Sequence, residues 1–455
     1  MLTDIQSQTA EELEAQFRAW GQPAYRVAQV LEWLYVHRVT SWEAMTNLPK
    51  ALRAELQAHY KLSALELIRK QGARDTTQKF LWRLSDHALI ESVLIPANPA
   101  LYGEASDRHT LCVSTQVGCA YGCKFCASGL EGWKRNLGVE EIVGQVLAVE
   151  RWNAEETRSA GVQIPKSKVQ SLESDVERQG TYGGSQEAES DVQDHASRIP
   201  NRQSPIANSP SPHLTPPSAS IGDRQLAIGN PPAPSSPPRL ISNLVIMGMG
   251  EPLANYDNLL KALKILNAPW GGGIGARKIT ISTSGLAPQI SRLAEEPLQF
   301  RLAISLHGAT DATRNKIMPV NRKYPLRELT AACEYYQQKR GRMITFEYVL
   351  IAGVNDGLDQ VKPLAALARR LKAKVNLIPY NRVEGLPWER PGEEAQEAFF
   401  KALEKQKVTA TLRREKGGDI DAACGQLRLK TERELAGHGG ARTEGRKKVV
   451  ADPTR

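Results

Sequence analysis

Three cysteines stand within eight residues of this chain, and no other feature limits its chemistry as strongly. They lie in the run Cys119-Ala-Tyr-Gly-Cys123-Lys-Phe-Cys126, a C-x3-C-x2-C spacing. Cysteine thiolates hold iron–sulfur clusters, and three thiolates on one loop fit three corners of a cube-shaped [4Fe–4S] cluster whose fourth iron stays open. A zinc site usually has four ligands, often as two C-x2-C pairs. The sequence contains no second pair, which favours the iron–sulfur interpretation.

The composition is that of a globular enzyme rather than a membrane or secreted protein. The segment Met1–Gln6 lacks the apolar core of a secretory signal, and no apolar run approaches the roughly 20 residues of a membrane span. Six cysteines among 455 residues do not form a disulfide scaffold, which indicates the reducing cytosol. We therefore expect a cytoplasmic protein with no membrane partner. The net charge of +9 permits a nucleic-acid partner without requiring one.

Alternating strand and helix patterns begin near residue 108. Strands are predicted at 110–116, 243–248, 278–283, 300–306, 344–351 and 374–380, and helices at 139–151, 256–267, 288–294, 325–340, 360–371 and 393–405. Val- and Ile-rich strands separated by helices indicate parallel βαβ units. Such units, with an additional strand suggested at 409–414, predict an α/β fold containing a partial (β/α)6 barrel. Ligands are then expected at the C-terminal ends of the strands.

Changes in pattern divide the chain into four predicted parts. Residues 1–105 form a small module of helices, at 24–35 and 50–59, followed by a hairpin of strands at 78–84 and 87–95. Residues 106–153 and 240–430 form the barrel. Residues 154–239 are rich in Pro, Ser and charged side chains and are predicted to be a disordered insertion, because they cannot bury enough apolar surface. Residues 431–455 are predicted to be a basic, flexible tail.

Glu91 lies on the second strand of the predicted hairpin. Because side chains alternate along a strand, it shares a face with Leu89 and Val93. A carboxylate on a buried apolar face costs on the order of several kcal/mol unless it is paired or protonated, and such carboxylates often serve as general bases. On an edge strand the same residue would meet water, and the pattern alone leaves both interpretations open.

Glycine-containing or polar motifs follow several of the predicted strands. The candidate ligand residues are Gly250 and Glu251, then Ser282, then Ser305, Leu306 and His307, and finally Asn381. Glycines let a backbone approach a ligand closely, and a glutamate can pair with an ammonium group. Each motif alone is more often turn chemistry. Their shared position at successive strand ends predicts one ligand-binding site.

Two further cysteines are candidates for chemistry. Cys424 stands between alanines and a glycine after the last predicted strand, and an accessible thiol of this kind can act as a nucleophile. The alternative is an inert buried thiol. Cys112 lies on the first barrel strand, seven residues before Cys119, where it can meet Cys424 near the barrel mouth.

Five segments, in this order, resemble the radical S-adenosylmethionine (SAM) adenine-C2 methyltransferases, a family that acts on 23S ribosomal RNA and transfer RNA. They are CVSTQVGCAYGCKFC, GMGEPL, ISTSG, AISLHG and GDIDAACGQL. The resemblance covers about residues 20–150 and 240–430. The predicted insertion lies outside every motif.

The resemblance implies a [4Fe–4S] cluster on Cys119, Cys123 and Cys126. The SAM contacts that it implies are Gly250, Glu251, Ser282, Ser305, Leu306, His307 and Asn381. It also implies that Cys424 takes a methyl group from one SAM, and that a radical from a second SAM activates this methyl carbon to add to C2 of adenine. Glu91 would then remove the C2 proton. Cys112 would attack Cys424, which releases the RNA and leaves a transient disulfide.

The same resemblance implies partners for the chain. The N-terminal module, which carries no chemical motif, is expected to handle the 23S rRNA and tRNA substrates. An electron donor such as flavodoxin or ferredoxin is expected, and the protein is expected to be a monomer.

Three alternatives stand beside this interpretation. The nearest is the sister activity that methylates adenine at C8. Another is a non-catalytic RNA-binding protein stabilised by a structural zinc. The third is a radical-SAM enzyme with a small-molecule or peptide substrate.

Overall fold

The structure is a computed structural model in which residues 2–73, 76–97, 108–159, 239–413 and 424–440 are described, with side chains up to residue 435. The first part of the chain is helical. It contains helices α1 (Ala10–Ala19), α2 (Tyr25–Tyr35) and α3 (Lys50–His59), and two short parallel strands, β1 (Thr3–Asp4) and β2 (Tyr60–Lys61). Two of these helices were predicted, and α1 was not. Thr9 and Glu12 start α1 by accepting hydrogen bonds from each other's backbone amides, a capping box.

A ten-stranded sheet forms the centre of the protein. Its strands are β3 (Glu66–Gly72), β4 (Gln78–Arg83), β5 (Leu89–Pro96), β6 (His109–Cys112), β9 (Asn243–Ile246), β10 (Ile279–Thr283), β11 (Arg301–Ser305), β12 (Thr345–Leu350), β13 (Lys374–Pro379) and β14 (Ala410–Leu412). Between β6 and β9 in sequence, β7 (Gln116–Gly118) and β8 (Trp133–Asn136) form a separate antiparallel pair. The order across the sheet is β14-β13-β12-β11-β10-β9-β6-β5-β4-β3.

Seven strands of this sheet run parallel to one another, and helices connect them. These strands are β6, β9, β10, β11, β12, β13 and β14. These helices are α4 (Val139–Ser159), α5 (Tyr256–Asn267), α6 (Ala287–Glu295), α7 (Asp311–Ile317), α8 (Leu326–Arg340), α9 (Val361–Arg370) and α10 (Glu393–Lys405). The predicted partial barrel is confirmed, and β14 is the additional strand. The short α7 was not predicted.

The structure differs from the predicted segment limits in three places. Strands β3, β4 and β5 continue the barrel sheet, because β5 pairs with β6, so the limit predicted at residue 105 falls within one sheet. Helix α4 runs to Ser159, into the segment predicted to be disordered. Helix α11 (Gln426–Gly440) runs into the segment predicted to be a flexible tail. Residues 160–238 and 441–455 lie outside the described residues.

Both faces of the hairpin formed by β4 and β5 are covered. On one face, Phe80, Trp82 and Ile90 belong to the main hydrophobic core. On the other, Leu81 and Leu89 pack against Leu427 of α11. The hairpin is therefore buried between the core and a C-terminal helix.

Glu91 lies within this covered part of the sheet. Glu91 is only 2% exposed. Its strand, β5, pairs with β4 on one side and with β6 on the other. The edge-strand interpretation is therefore wrong. In the described part of the chain, no helix combines the length and hydrophobicity needed to cross a membrane.

Leu427→Ala should loosen α11 from the sheet. Replacing a fully buried leucine with alanine costs about 2–5 kcal/mol, and Leu427 has no exposed surface. Hydrogen–deuterium exchange should become faster across residues 426–435. The matched control on the same helix is Leu435→Ala, because Leu435 is 59% exposed and its loss should leave the exchange unchanged. Equal protection in both variants would mean that this leucine does not hold the helix.

Candidate active site

The C-terminal ends of the parallel strands open onto one cavity of about 360 Å³, within the size range of small-molecule sites. Cys119, Cys123, Cys126 and Cys424 all line it. Six of the seven residues predicted as cosubstrate contacts also line it, namely Gly250, Glu251, Ser282, Ser305, His307 and Asn381. The structure thus brings together residues from strand ends that are far apart in sequence.

The cysteine loop connects β7 to β8 and is held by backbone contacts. The amide of Cys119 donates to the carbonyl of Gly132 at 3.1 Å. Gly118 has a φ of +78°, and a Cβ there would lie 1.9 Å from the same carbonyl oxygen, so only glycine fits. The amide of Lys124 donates to the carbonyl of Ile317. The carbonyl of Lys124 accepts from the indole of Trp388 at 2.8 Å. These contacts present the three thiols to the cavity.

The three loop thiols are partly exposed and reduced. Burial raises the pKa of each, that of Cys119 to about 12, but a coordinating metal deprotonates a thiol outright. Within the described ranges, no three His, Cys, Asp or Glu side chains are grouped so as to hold a single metal ion. Three thiols around one cavity suit a multi-iron cluster, which is held by thiolates on different irons.

Glu251 is a buried carboxylate at the cavity wall. Its two oxygens accept from the amides of Leu253 at 3.1 Å and Ser284 at 2.7 Å, and burial is the main cause that raises its pKa. The turn before it needs a glycine, because Gly250 has a φ of +99° and a Cβ would lie 2.5 Å from that of Gln116. The close turn therefore aims a fixed carboxylate at the cavity.

The next two strands carry the predicted hydroxyls and imidazole. The Oγ atoms of Ser282 and Ser305 lie 3.3 Å apart. The amide of Val349 donates to Nδ1 of His307 at 3.1 Å, and burial lowers the pKa of this histidine to about 3. His307 is therefore neutral, and its proton is on Nε2. Leu306 is the exception among the predicted contacts, because its side chain packs in the main core.

Arg314, on α7, was missed by the sequence reasoning. It is fully buried, and its guanidinium donates to the carbonyls of Ser284, Ser305 and Leu306 at 2.8, 3.2 and 2.6 Å. A Cβ at Gly308 would lie 2.9 Å from Cγ of Arg314, so this glycine makes room for the arginine. Arg314 ties the ends of β10 and β11 together beneath the cavity.

Glu347 and Arg413 are two charged cavity residues that the sequence reasoning also missed. Burial is the main cause that raises the pKa of Glu347, and its Oε2 accepts from Asn376 at 2.6 Å. Glu347 shares one face of its predicted strand with Thr345 and Val349. The alternation argument applied to Glu91 would have identified it.

Cys112 and Cys424 meet at the edge of the cavity. Interaction with Cys112 is the main cause that lowers the pKa of the Cys424 thiol, and interaction with Cys424 raises the pKa of the Cys112 thiol. The thiol of Cys424 also contacts the carbonyl of Met247 at 3.5 Å. Its own carbonyl accepts from Ser128 at 3.3 Å, two residues after the last loop cysteine. The expected proximity of the two thiols is present.

Glu91 stands behind Cys424 rather than in the cavity wall. Its Oε2 accepts from the amide of Gly425 at 2.7 Å and pairs with Nζ of Lys79 at 3.0 Å. Its Oε1 accepts from the amide of Arg428 at 2.7 Å. The carboxylate thus holds the segment that carries Cys424.

Comparison with known proteins decides the family. The chain is 45% identical to a probable dual-specificity RNA methyltransferase RlmN 3 of Opitutus terrae, with 96% of this chain and 98% of the relative covered. It is 42% identical to a probable dual-specificity RNA methyltransferase RlmN of Akkermansia muciniphila, covering 95% and 97%. The chain belongs to the RlmN family.

Further matches agree with this family. A family model for the ribosomal RNA large subunit methyltransferase N-terminal domain matches residues 3–62, and one for the radical SAM superfamily matches residues 238–364. The crystal structure of a radical SAM methyltransferase from Sphaerobacter thermophilus superposes with a TM-score of 0.70 at 36% identity, covering 93% of this chain and 98% of that one. The fold of this RlmN-family chain is thus that of a radical SAM methyltransferase, while the roles of its individual site residues stay predictions.

Arg314→Met should weaken both stability and ligand binding in this RlmN-family chain. The substitution leaves the carbonyls of Ser284, Ser305 and Leu306 without this donor, and leaving a buried polar group unsatisfied costs about 1–3 kcal/mol. Thermal unfolding and calorimetric titration with SAM measure the two effects. The control is Arg322→Met, since Arg322 is exposed on the segment that follows α7. Unchanged SAM affinity in a folded Arg314→Met variant would contradict a role beneath the cavity.

Proposed function

We propose that this RlmN-family chain methylates C2 of adenine in 23S rRNA and in tRNA, and that Cys424 carries the methyl group. The observation that supports this most directly is the position of Cys424, which lines the same cavity as the three loop thiols and interacts with the thiol of Cys112. The curated relatives are named as dual-specificity RNA methyltransferases, which supports an RNA substrate.

The proposed cofactors are a [4Fe–4S] cluster on Cys119, Cys123 and Cys126, and SAM in the cavity beside it. C2 of adenine is an electron-poor carbon, and the cluster and SAM supply the one-electron chemistry that such a carbon requires. The carboxylate of Glu251 suits the ammonium group of SAM, and the neutral His307 offers an Nε2 proton as a hydrogen-bond donor. Ser282, Ser305 and Asn381 complete the proposed polar contacts.

Cys424 is suited to accept a methyl group as a nucleophile. A thiolate, not a thiol, attacks a methyl sulfonium, and interaction with Cys112 lowers the pKa of the Cys424 thiol, which favours its ionisation. Its sulfur forms the new bond to carbon, and S-adenosylhomocysteine leaves. Cys112, whose pKa is raised by its interaction with Cys424 and by burial, stays protonated meanwhile.

Cys112 and Glu91 are proposed to act after the methyl carbon has bonded to the RNA. After the RNA adduct has lost its unpaired electron to the redox system that the [4Fe–4S] cluster would supply, Glu91 accepts the C2 proton. Cys112 then attacks the sulfur of Cys424, the carbon–sulfur bond breaks, the departing carbon takes up a proton and becomes the methyl group, and a disulfide is left. In the described geometry three donors hold the Glu91 carboxylate. Proton transfer therefore requires one of these contacts to open when RNA is bound.

The N-terminal helices are proposed to handle the RNA. The match of residues 3–62 to an rRNA methyltransferase N-terminal domain supports this, as does the absence of chemical motifs there. Electrons are proposed to come from a flavodoxin or ferredoxin in the cytoplasm, with the enzyme acting as a monomer.

Purified protein, reconstituted anaerobically, should convert adenine to 2-methyladenine in 23S rRNA and in tRNA. Digestion to nucleosides and mass spectrometry against both methyladenosine isomers measure the product. Only 8-methyladenosine would assign the sister activity instead. A colourless, zinc-loaded and folded protein without methylation would favour the non-catalytic RNA-binding alternative.

Cys112→Ala should accumulate protein covalently linked to RNA, because the thiol that resolves the adduct is gone. Denaturing gels with labelled RNA detect the adduct. Cys424→Ala should form neither adduct nor methylated product. Cys333→Ala is the matched control, since Cys333 is buried in α8 and does not line the cavity. Complete turnover by Cys424→Ala would refute the covalent route.

A further inference from the structure

Three polar side chains share one face of the sheet behind Cys424. Lys79 on β4 stands opposite Val93 on β5, and Val93 stands opposite Cys112 on β6. Opposite residues in a sheet point to the same face, as do residues two apart along one strand. Lys79, Glu91 and Cys112 therefore lie together, on the face that α11 covers.

Lys79 is unusual because it is almost completely buried. The residue is 1% exposed, and Glu91 is 2% exposed. Taking a charge out of water costs on the order of several kcal/mol per ion. The attraction between the two charges repays this cost only if further hydrogen bonds satisfy the pair. Here the further bonds come from the amides of Gly425 and Arg428.

These two amides mark the beginning of α11. The first amides of a helix have no carbonyl partner within the helix, and an anion near that end is also favoured by the helix dipole. Glu91 supplies both the missing hydrogen-bond acceptor and the negative charge, although it lies 334 residues away from Gly425 in sequence. Cys424 directly precedes the first of these amides.

We infer that Lys79 is a positioning residue for Cys424, which acts by holding the Glu91 carboxylate against the start of α11. The inference rests on the proposed function, in which Cys424 carries the methyl group and Cys112 resolves the adduct. The ammonium balances the charge of Glu91, so both carboxylate oxygens accept from the backbone. Without it, the buried carboxylate loses its countercharge, and at least one amide contact is lost.

The charges near Cys424 agree with this arrangement. Besides the interaction with Cys112, Lys79 and Arg413 lower the pKa of the Cys424 thiol, whereas burial and the charge of Glu91 raise it. Cys126 of the cysteine loop also interacts electrostatically with this thiol. Lys79 thus offsets the charge of Glu91, which opposes ionisation of Cys424.

The test uses the full chain with its cluster, under anaerobic conditions, and glutathione disulfide as the probe. The Cys424 thiolate attacks the probe and releases one reduced glutathione, and Cys112 then displaces the second to form the Cys112–Cys424 disulfide. Peptide mass spectrometry separates this disulfide from Cys424 that retains glutathione. Wild type, Lys79→Met, Glu91→Gln and the double variant are compared, with Lys261→Met as the control, because Lys261 pairs with Glu12 elsewhere.

We expect Lys79→Met to slow formation of the internal disulfide about tenfold, the effect of one pKa unit, and to leave glutathione on Cys424. Because Lys79 acts through Glu91, the double variant should match Glu91→Gln within about twofold, a non-additive cycle. Lys261→Met should behave as wild type. The inference is overturned if Lys79→Met gives the wild-type ratio of internal disulfide to glutathione-bound Cys424. It is also overturned if the effects of the two substitutions are independent.

Two outcomes outside this pattern are also decisive. If Lys79→Met does not fold but the double variant does, the unpaired Glu91 charge is the cause, which supports the inference. If the double variant also fails while Glu91→Gln folds, Lys79 has a role apart from Glu91, and the inference is overturned. The reaction with glutathione disulfide needs neither RNA nor adenine methylation. Its result can therefore be interpreted even if the proposed adenine methylation is not observed.

Discussion

The arrangement of the thiol pair depends on one buried carboxylate. Glu91 joins the N-terminal hairpin to the C-terminal helix through the amides of Gly425 and Arg428. Charged hydrogen bonds are roughly twice as strong as neutral ones, and here they have no competition from water. The contact brings Cys424 to Cys112 from the far end of the chain.

A second buried charge lies at the ends of two strands whose terminal residues line the cavity. Arg314 binds carbonyls at the ends of β10 and β11, and burial lowers its pKa to about 10, still well above neutral. Parallel strands end with carbonyls that have no ladder partner, and buried carbonyls need donors. One side chain with several donors meets this need at both strand ends, while Glu251 satisfies the nearby amides.

Much of the architecture is readable from the sequence because it follows local periodicity. The parallel strands of the barrel alternate with helices whose apolar spacing is regular, and the residues after those strands converge as expected. Helix α11 was missed for a physical reason. Leu427, Arg428 and Leu429 are consecutive and all buried, so its start shows no one-sided apolar stripe.

Other features escaped because they depend on contacts distant in sequence. The pattern marked Glu91 as notable, but only the pairing of β5 with both β4 and β6 excludes an edge position. Arg314 stands in the polar run Asp311–Lys316, where nothing distinguishes it from a solvated arginine. Its burial follows from the approach of α7 to two strand ends, which no local rule describes.

The unbroken sheet has a consequence for how such chains can be recombined. The N-terminal family match ends at residue 62, just before β3 begins at Glu66. In the described part of the chain, each strand from there onward belongs either to the common sheet or to the β7–β8 pair. A chimera joined near residue 62 exchanges helices and leaves the sheet whole. A junction near residue 105 would instead transplant a foreign β5 next to β6, and with it the carboxylate that secures the far end of the chain.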